Sequence, residues 1–268
     1  PPRSTLFPYT TLFRSPKNDF RLAVLYEKMG DMRAALSLLQ PLKTNEAALE
    51  RAKIKFRFTN DFKGAEEELA VITDAKYEAA KALYQAFIAT NKADHTTALT
   101  IFDTFEKKLD SKNALSINAR IGKAQIYYEK SNYFKALKIA ADVLKDMPDK
   151  SMFEERIVVN NLRALCYIEL GRLDAASELL DNVQKEAIEK NIIAQIPIIA
   201  INKAIILRKR NEFDKAFAEL YKMEEYFQSR ANILILAGIY RNIGITLYEK
   251  GDFVKAKAYF AKIIALQG

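Results

Sequence analysis

Tryptophan is absent from the 268 residues, and cysteine and histidine occur once each, as Cys166 and His95. A lone cysteine can form no internal disulfide, which fits a reducing compartment and a cytoplasmic location. One histidine and one cysteine cannot assemble a zinc site of the usual ligand types. They also leave no Ser-His-Asp arrangement that stands above chance. Neither G-x-G-x-x-G nor G-x4-G-K-[ST] occurs, so no glycine-rich loop is available to cradle phosphate. Acidic pairs such as Glu154-Glu155 and Glu224-Glu225 read most simply as solvated helix faces. Neither catalysis nor a cofactor is expected.

Glycine (8) and proline (7) are scarce too. Alanine, leucine, isoleucine, lysine and glutamate dominate, and that composition favours helix almost everywhere. No long apolar run exists. The nearest approach, Asn191 to Arg210, is broken by Gln195, Pro197, Asn202 and Lys203, whereas a membrane span needs roughly 18–20 apolar residues. No block of five like charges occurs either. The longest basic cluster, Arg208 to Arg210, fits a helix C-terminus. With half its residues hydrophobic and 28% charged, the chain is expected to fold. The net charge of +8 permits acidic partners or nucleic acid without arguing for either.

Arg3 to Ser15 nearly repeats itself, with "TLF" twice and "RS" at both ends. It lacks the helical periodicity of everything after Asn18 and resembles translated sequencing-adapter sequence. Residues 1–17 are therefore expected to be a non-native or disordered leader.

From residue 18 onward a column pattern recurs: small, two residues, large apolar, three residues, Gly or Asn, four residues, Ala, three residues, large apolar. The first copy is Ala23, Tyr26, Gly30, Ala35, Leu39, and the last is Gly244, Leu247, Gly251, Ala256, Phe260. Clear copies start at Ala124, Ala164 and Ala204. Weaker ones start at Ala86 and at Lys53, where lysine holds the small position and Phe56 the apolar one. Each column has a physical reason. Small residues let two antiparallel helices approach closely. The turn column calls for a left-handed residue, which Gly and Asn adopt cheaply. The residue after it is Asp31, Asp61, Asp94, Asn132 or Asp252 in five copies, each a good N-cap for the second helix. The chain is thus expected to be all-α, an α-solenoid of seven helix-turn-helix repeats at about 18–43, 44–74, 75–110, 113–148, 151–190, 191–228 and 230–267.

The pattern resembles the tetratricopeptide repeat, with Pro148 in the trailing-proline position of the fourth copy. The resemblance implies a right-handed superhelix with a concave groove lined by the first helices and a protein or peptide partner. The second-helix alanines at 35, 65, 98, 136, 176, 216 and 256 settle into 40-residue steps, against a commonest period of roughly 34. Such long copies look like those of bacterial sensor regulators and kinesin light chains. The groove face should carry an i, i+4, i+7 stripe, and its candidate partner-binding residues are Gln125, Tyr128, Asn161, Ile201, Ile205, Arg208, Arg241, Ile245 and Tyr248. Competing with partner binding, the isoleucines could instead pack between repeats. Some members of the family clamp a C-terminal carboxylate with a set of lysine and asparagine on successive first helices. Leu165, Ile205 and Ile245 stand at the matching places, so that function is not carried over.

The leading expectation is a non-catalytic protein-interaction scaffold holding a peptide or amphipathic helix. A second is the sensor or dimerisation array of a truncated bacterial transcriptional regulator or kinase, because the sequence stops at "IIALQG" with no polar capping helix. A homodimer is compatible with either. A helical-repeat RNA binder is the weakest reading, because the inner columns lack regular base-reading polar pairs.

Overall fold

A computed structural model describes residues 15–148, 151–192, 195–228 and 233–266. Among them lie fourteen α-helices: α1 (Pro16–Lys28), α2 (Met32–Leu39), α3 (Asn45–Ile54), α4 (Phe62–Ala70), α5 (Glu78–Asn91), α6 (His95–Lys108), α7 (Ala114–Glu129), α8 (Tyr133–Asp146), α9 (Phe153–Glu169), α10 (Leu173–Glu189), α11 (Ile196–Lys209), α12 (Phe213–Gln228), α13 (Ile233–Glu249) and α14 (Phe253–Ala265). A π-helical turn (Lys55–Thr59) extends α3, and a short 3₁₀ turn (Ala75–Tyr77) precedes α5. No strand occurs among the described residues. Each odd-numbered helix pairs with the next to form a hairpin, and each hairpin packs on the following one. This is a solenoid of seven helical hairpins.

The turns form as the column chemistry requires. Gly30, Asn60, Ala93, Ser131, Gly171, Asn211 and Gly251 all take positive φ, between 57° and 89°. The N–H one residue further on closes the helix end by donating to a carbonyl five residues back, as Asp31 does to Tyr26 and Asn132 to Tyr127. Asp31, Asp61, Asp94, Asn132 and Asp252 each accept a hydrogen bond from the N–H three residues later. The core follows the small and apolar columns. Ala23, Ala35 and Leu39 are fully buried in the first hairpin, and Ala164, Ala176 and Leu180 in the fifth. Cys166 is buried as well, and burial pushes its thiol up to about 11, away from reactivity.

Three expectations change. First, α1 begins at Pro16, with Ser15 capping Asn18 N–H, so the last residues of the expected leader belong to the fold. The remainder, residues 1–14, lies outside the described residues. Second, His95 stands in the column that Phe62, Tyr133 and Phe253 fill in other copies, where an aromatic substitute is expected, yet it serves as a polar link. Its Nε2 lies 2.9 Å from Glu129 Oε2, tying α6 to α7. Third, Lys53 is not in the small position of the second hairpin. The π-turn inserts one residue, so Asp61 N–H reaches back six residues to Lys55 rather than five. Ala52, fully buried against Ala65 and Leu69, takes the small position one residue earlier.

That insertion has a long-range consequence. The π-turn packs against α13, nearly two hundred residues away. Arg57 within it reaches Glu154 on α9 at 3.5 Å. The coil therefore closes on itself, with hairpin two meeting hairpins five and seven on the side that the first helices line.

Candidate functional site

The candidate residues fall on α7, α9, α11 and α13 at three fixed offsets from the small column. Three before it stand Ile121, Asn161, Ile201 and Arg241. One after it stand Gln125, Leu165, Ile205 and Ile245. Four after it stand Tyr128, Ile168, Arg208 and Tyr248. Exposure rises along the first of these columns. Ile121 and Asn161 are buried, Ile201 is half-buried and Arg241 is exposed. Each first helix leans on the next, α7 on α9, α9 on α11 and α11 on α13, so the earlier members are covered by the following repeat.

Inter-repeat packing therefore claims part of the stripe. Ile121 and Ile168 are core residues. Ile201 packs against the seventh-hairpin core and Ile205 against the fifth. Gly238 explains how α11 and α13 come so close, since a Cβ there would lie 3.3 Å from Ile201 Cδ1. Ile245 stays half-buried, and Tyr248 is 60% exposed against the edge of Phe253, with ring centroids 5.2 Å apart. Tyr128 leans on Tyr133 in the same way at 5.7 Å. Gln125 donates to Glu129 on its own helix and makes no link to the other candidates.

The polar members form two groups. Arg208 lies 3.3 Å from Glu249 through Nε and donates through a terminal nitrogen to Asn242 Oδ1, also at 3.3 Å. Burial lowers the Arg208 pKa and Glu249 opposes that, while the nearby Arg241 guanidinium lowers it further. Asn242 in turn donates to Gly238 C=O, and Thr246 donates to Asn242 C=O. Further along the inner face, Asn161 is buried, and its Oδ1 accepts from Asn202 Nδ2 at 3.2 Å. Asn161 Nδ2 is buried without a hydrogen-bond partner. A stranded amide donor of this kind costs about 1–3 kcal/mol.

Sequence reasoning missed Asn202, Asn242, Arg57 and Glu154. The two asparagines stand 40 residues apart, one repeat, at the position two before the small column. That periodicity was the available signal. Arg57 and Glu154 meet only because the solenoid closes, which no local pattern reports.

No protein-family model matches the chain, and no curated protein matches it in sequence. Solved structures do match its shape. The crystal structure of a Rap protein complexed with competence and sporulation factor superposes with a TM-score of 0.61 at 12% identity, covering 98% of this chain and 88% of that one. A tetratricopeptide repeat protein from Parabacteroides merdae gives a TM-score of 0.55 at 14% identity, covering 94% and 93%. The fold is that of a tetratricopeptide-repeat solenoid. Among the described residues, no helix of this solenoid is long and apolar enough to cross a membrane.

Proposed function

We propose that this solenoid is a non-catalytic protein-interaction scaffold and that its inner face over hairpins four to seven holds a peptide or amphipathic helix. The observation that carries this reading is Asn161. It is a buried asparagine on the inner stripe whose Oδ1 is engaged by Asn202 and whose Nδ2 donor is unpaired beneath the surface. A ligand carbonyl that displaced the side chains covering it would supply the missing acceptor. On the same stripe, Ile205 and Ile245 offer half-buried apolar surface, and Arg241 offers an exposed guanidinium for acidic groups. The Rap protein of similar shape was crystallised with a competence and sporulation factor, which supports a ligand-holding role for a solenoid of this size. Nucleic acid is disfavoured as a partner, because many of the chain's cations are committed to internal ion pairs, including Arg51, Lys53, Arg120, Lys123 and Arg208.

The test is selection of binding peptides from a displayed random library against the purified chain. Selected peptides should lose at least about tenfold in affinity toward Asn161→Ala and toward the combined change of Ile205, Ile245 and Arg241 to serine, with helicity unchanged by circular dichroism. Peptides that bind both variants as well as the parent chain would place the partner surface elsewhere.

A further inference from the structure

Three first helices carry a cation one residue before the small column: Lys123 on α7, Arg163 on α9 and Lys203 on α11. All three are half-buried, where each first helix packs on the second helix of the preceding hairpin. Two of them meet a counter-charge there. Lys123 lies 2.8 Å from Asp103 and from Glu106 on α6, and Lys203 lies 2.8 Å from Asp181 on α10 and donates to Gln184. These partners stand at two fixed places, five and eight residues after the recurring alanine. In α8 the same two places hold Ala141 and Leu144. Arg163 is left with a hydrogen bond to Asn160 on its own helix, at 2.9 Å, and with no carboxylate among the described residues. A half-buried guanidinium without a counter-charge is unfavourable, and a carboxylate that takes two of its N–H groups is the partner it fits best.

The helix that lacks these acids is also basic and apolar where it faces water. Its outer stripe reads Phe134, Lys138, Ala141, Lys145, all exposed, with Phe134 at 68%. Neither lysine has an ion-pair partner among the described residues. The matching stripe of α10 reads Asp174, Glu178, Asp181, Lys185, and two of its three acids are taken, Asp174 by Arg210 and Asp181 by Lys203. The patch lies inside the array, where hairpins four and five meet, with further hairpins on either side. Arg163 stands two residues from Asn161, roughly 200° around α9, so this surface is separate from the inner stripe.

Charge and shape decide the occupant. Three uncommitted cations around an exposed phenyl ring call for carboxylates beside an apolar side chain. Nucleic acid needs a longer basic track, and the exposed acids Asp142 and Glu178 interrupt this one. A second copy offering its α10 stripe would bring one uncommitted carboxylate, Glu178, against three cations. We propose that the outer groove between α8 and α9 docks an acidic segment of a partner protein. One carboxylate sits on Arg163, in the place that Asp103 fills beside Lys123 and Asp181 beside Lys203. Further carboxylates meet Lys138 and Lys145, and an apolar residue packs on Phe134. A scaffold with a ligand on its inner face would thereby hold a second protein on its outer face.

The probes are two labelled 16-residue peptides with the same alanine and leucine positions, one carrying glutamates and the other lysines at the remaining places. Each is titrated with the full chain by fluorescence anisotropy. The glutamate peptide should bind at least about tenfold tighter than the lysine peptide. Ala141→Asp gives Arg163 the internal partner that Lys123 and Lys203 have, and should weaken the glutamate peptide at least about tenfold. Arg163→Gln should weaken it comparably. Ala218→Asp makes the same charge change at an exposed site on α12 and should leave binding unaltered, as should Asn161→Ala on the inner stripe. Ala141 is exposed, so Ala141→Asp keeps the fold, which unchanged circular dichroism checks. No binding of the glutamate peptide below about 1 mM, equal binding of both peptides, or equal losses from Ala141→Asp and Ala218→Asp would overturn the proposal. So would a 20-nucleotide single strand that binds more tightly and is lost in Ala141→Asp, in favour of nucleic acid. A dimer in sedimentation that Ala141→Asp dissolves would overturn it in favour of a second copy.

Discussion

Glutamine in place of Glu27 should remove most of the pH dependence of stability in the first two hairpins. Glu27 on α1 is 5% exposed. Lys53 Nζ reaches its Oε2 at 2.8 Å and Glu50 Oε1 at 2.5 Å, so one buried ammonium serves two carboxylates. Burial raises the Glu27 carboxyl most. Lys53 pulls it down, Glu50 pushes it up again, and the outcome is about 7 against an ordinary 4.5. Burial alone would lower Lys53, but the two carboxylates outweigh it and hold the ammonium above its usual value. Lys53 therefore stays charged throughout, and Glu27 is the group that titrates. Between pH 4.5 and 7 the folded chain binds more protons than the unfolded one, so stability falls as pH rises. The contribution is fully present below about pH 4.5 and gone above about pH 8. Between about pH 5 and pH 8 the loss is on the order of 2–3 kcal/mol. Native-state amide exchange in α1 and α3 reads this locally, which suits a repeat array whose hairpins need not unfold together. Comparing the parent chain with Glu27→Gln at both ends of that range cancels whatever the substitution itself costs. The difference between the two comparisons should be on the order of 2–3 kcal/mol. Parallel behaviour of the two proteins across that range would refute the assignment of the proton to this cluster.

Other expectations follow from the turns, the packing and the closure. Ala93→Gly and Ser131→Gly relieve left-handed strain at φ 61° and 57° and should each stabilise by about 0.5–1 kcal/mol in thermal melts. Asp31→Ala removes the N-cap of α2 and should cost about 1 kcal/mol. Gly122→Ala drives a methyl into the Phe102 ring, itself fully buried, and should cost about 1–3 kcal/mol with exchange protection lost first in α6 and α7. Deleting Thr59 should restore α-helical spacing between Ala52 and the turn and release the π-turn from α13. Spin labels on the two elements should then move apart, and an unchanged distance would show that the inserted residue does not make the contact.

The regular part of the fold was legible because each column answers to one local cause. Left-handed turns select Gly and Asn, and caps select Asp and Asn. Even where Ala93 and Ser131 depart from the preferred residues, the flanking caps Asp94 and Asn132 hold the register. The second hairpin departs from the column spacing by one residue. That spacing implies uniform helix, and a π-turn has no composition signal of its own. Lys53 in a small column was the visible anomaly, and the buried carboxylates that accommodate it come from α1 and α3. On the inner face, periodicity located the stripe but could not divide it. Ile168 and Ile245 occupy the same face, yet one is core and the other half-open, because cover depends on where the next hairpin lies.

The irregularities of hairpin two belong together. Hairpin two keeps its left-handed turn at Asn60 and its cap at Asp61 but breaks the small column, and such a local break is expected where a constraint from outside the hairpin applies. Here the added residue turns Lys53 toward Glu27 and projects Arg57 toward Glu154. The Arg57–Glu154 pair is itself weak. Both side chains are about a third exposed and 3.5 Å apart, and such pairs contribute less than about 1 kcal/mol. Packing of the π-turn on α13, rather than that ion pair, must therefore hold the coil closed. The inner face is then bounded by hairpin two as well as by hairpins five to seven. Under the function proposed above, a ligand on the inner stripe would border the residue inserted in α3's extension, roughly a hundred residues from Asn161 in sequence.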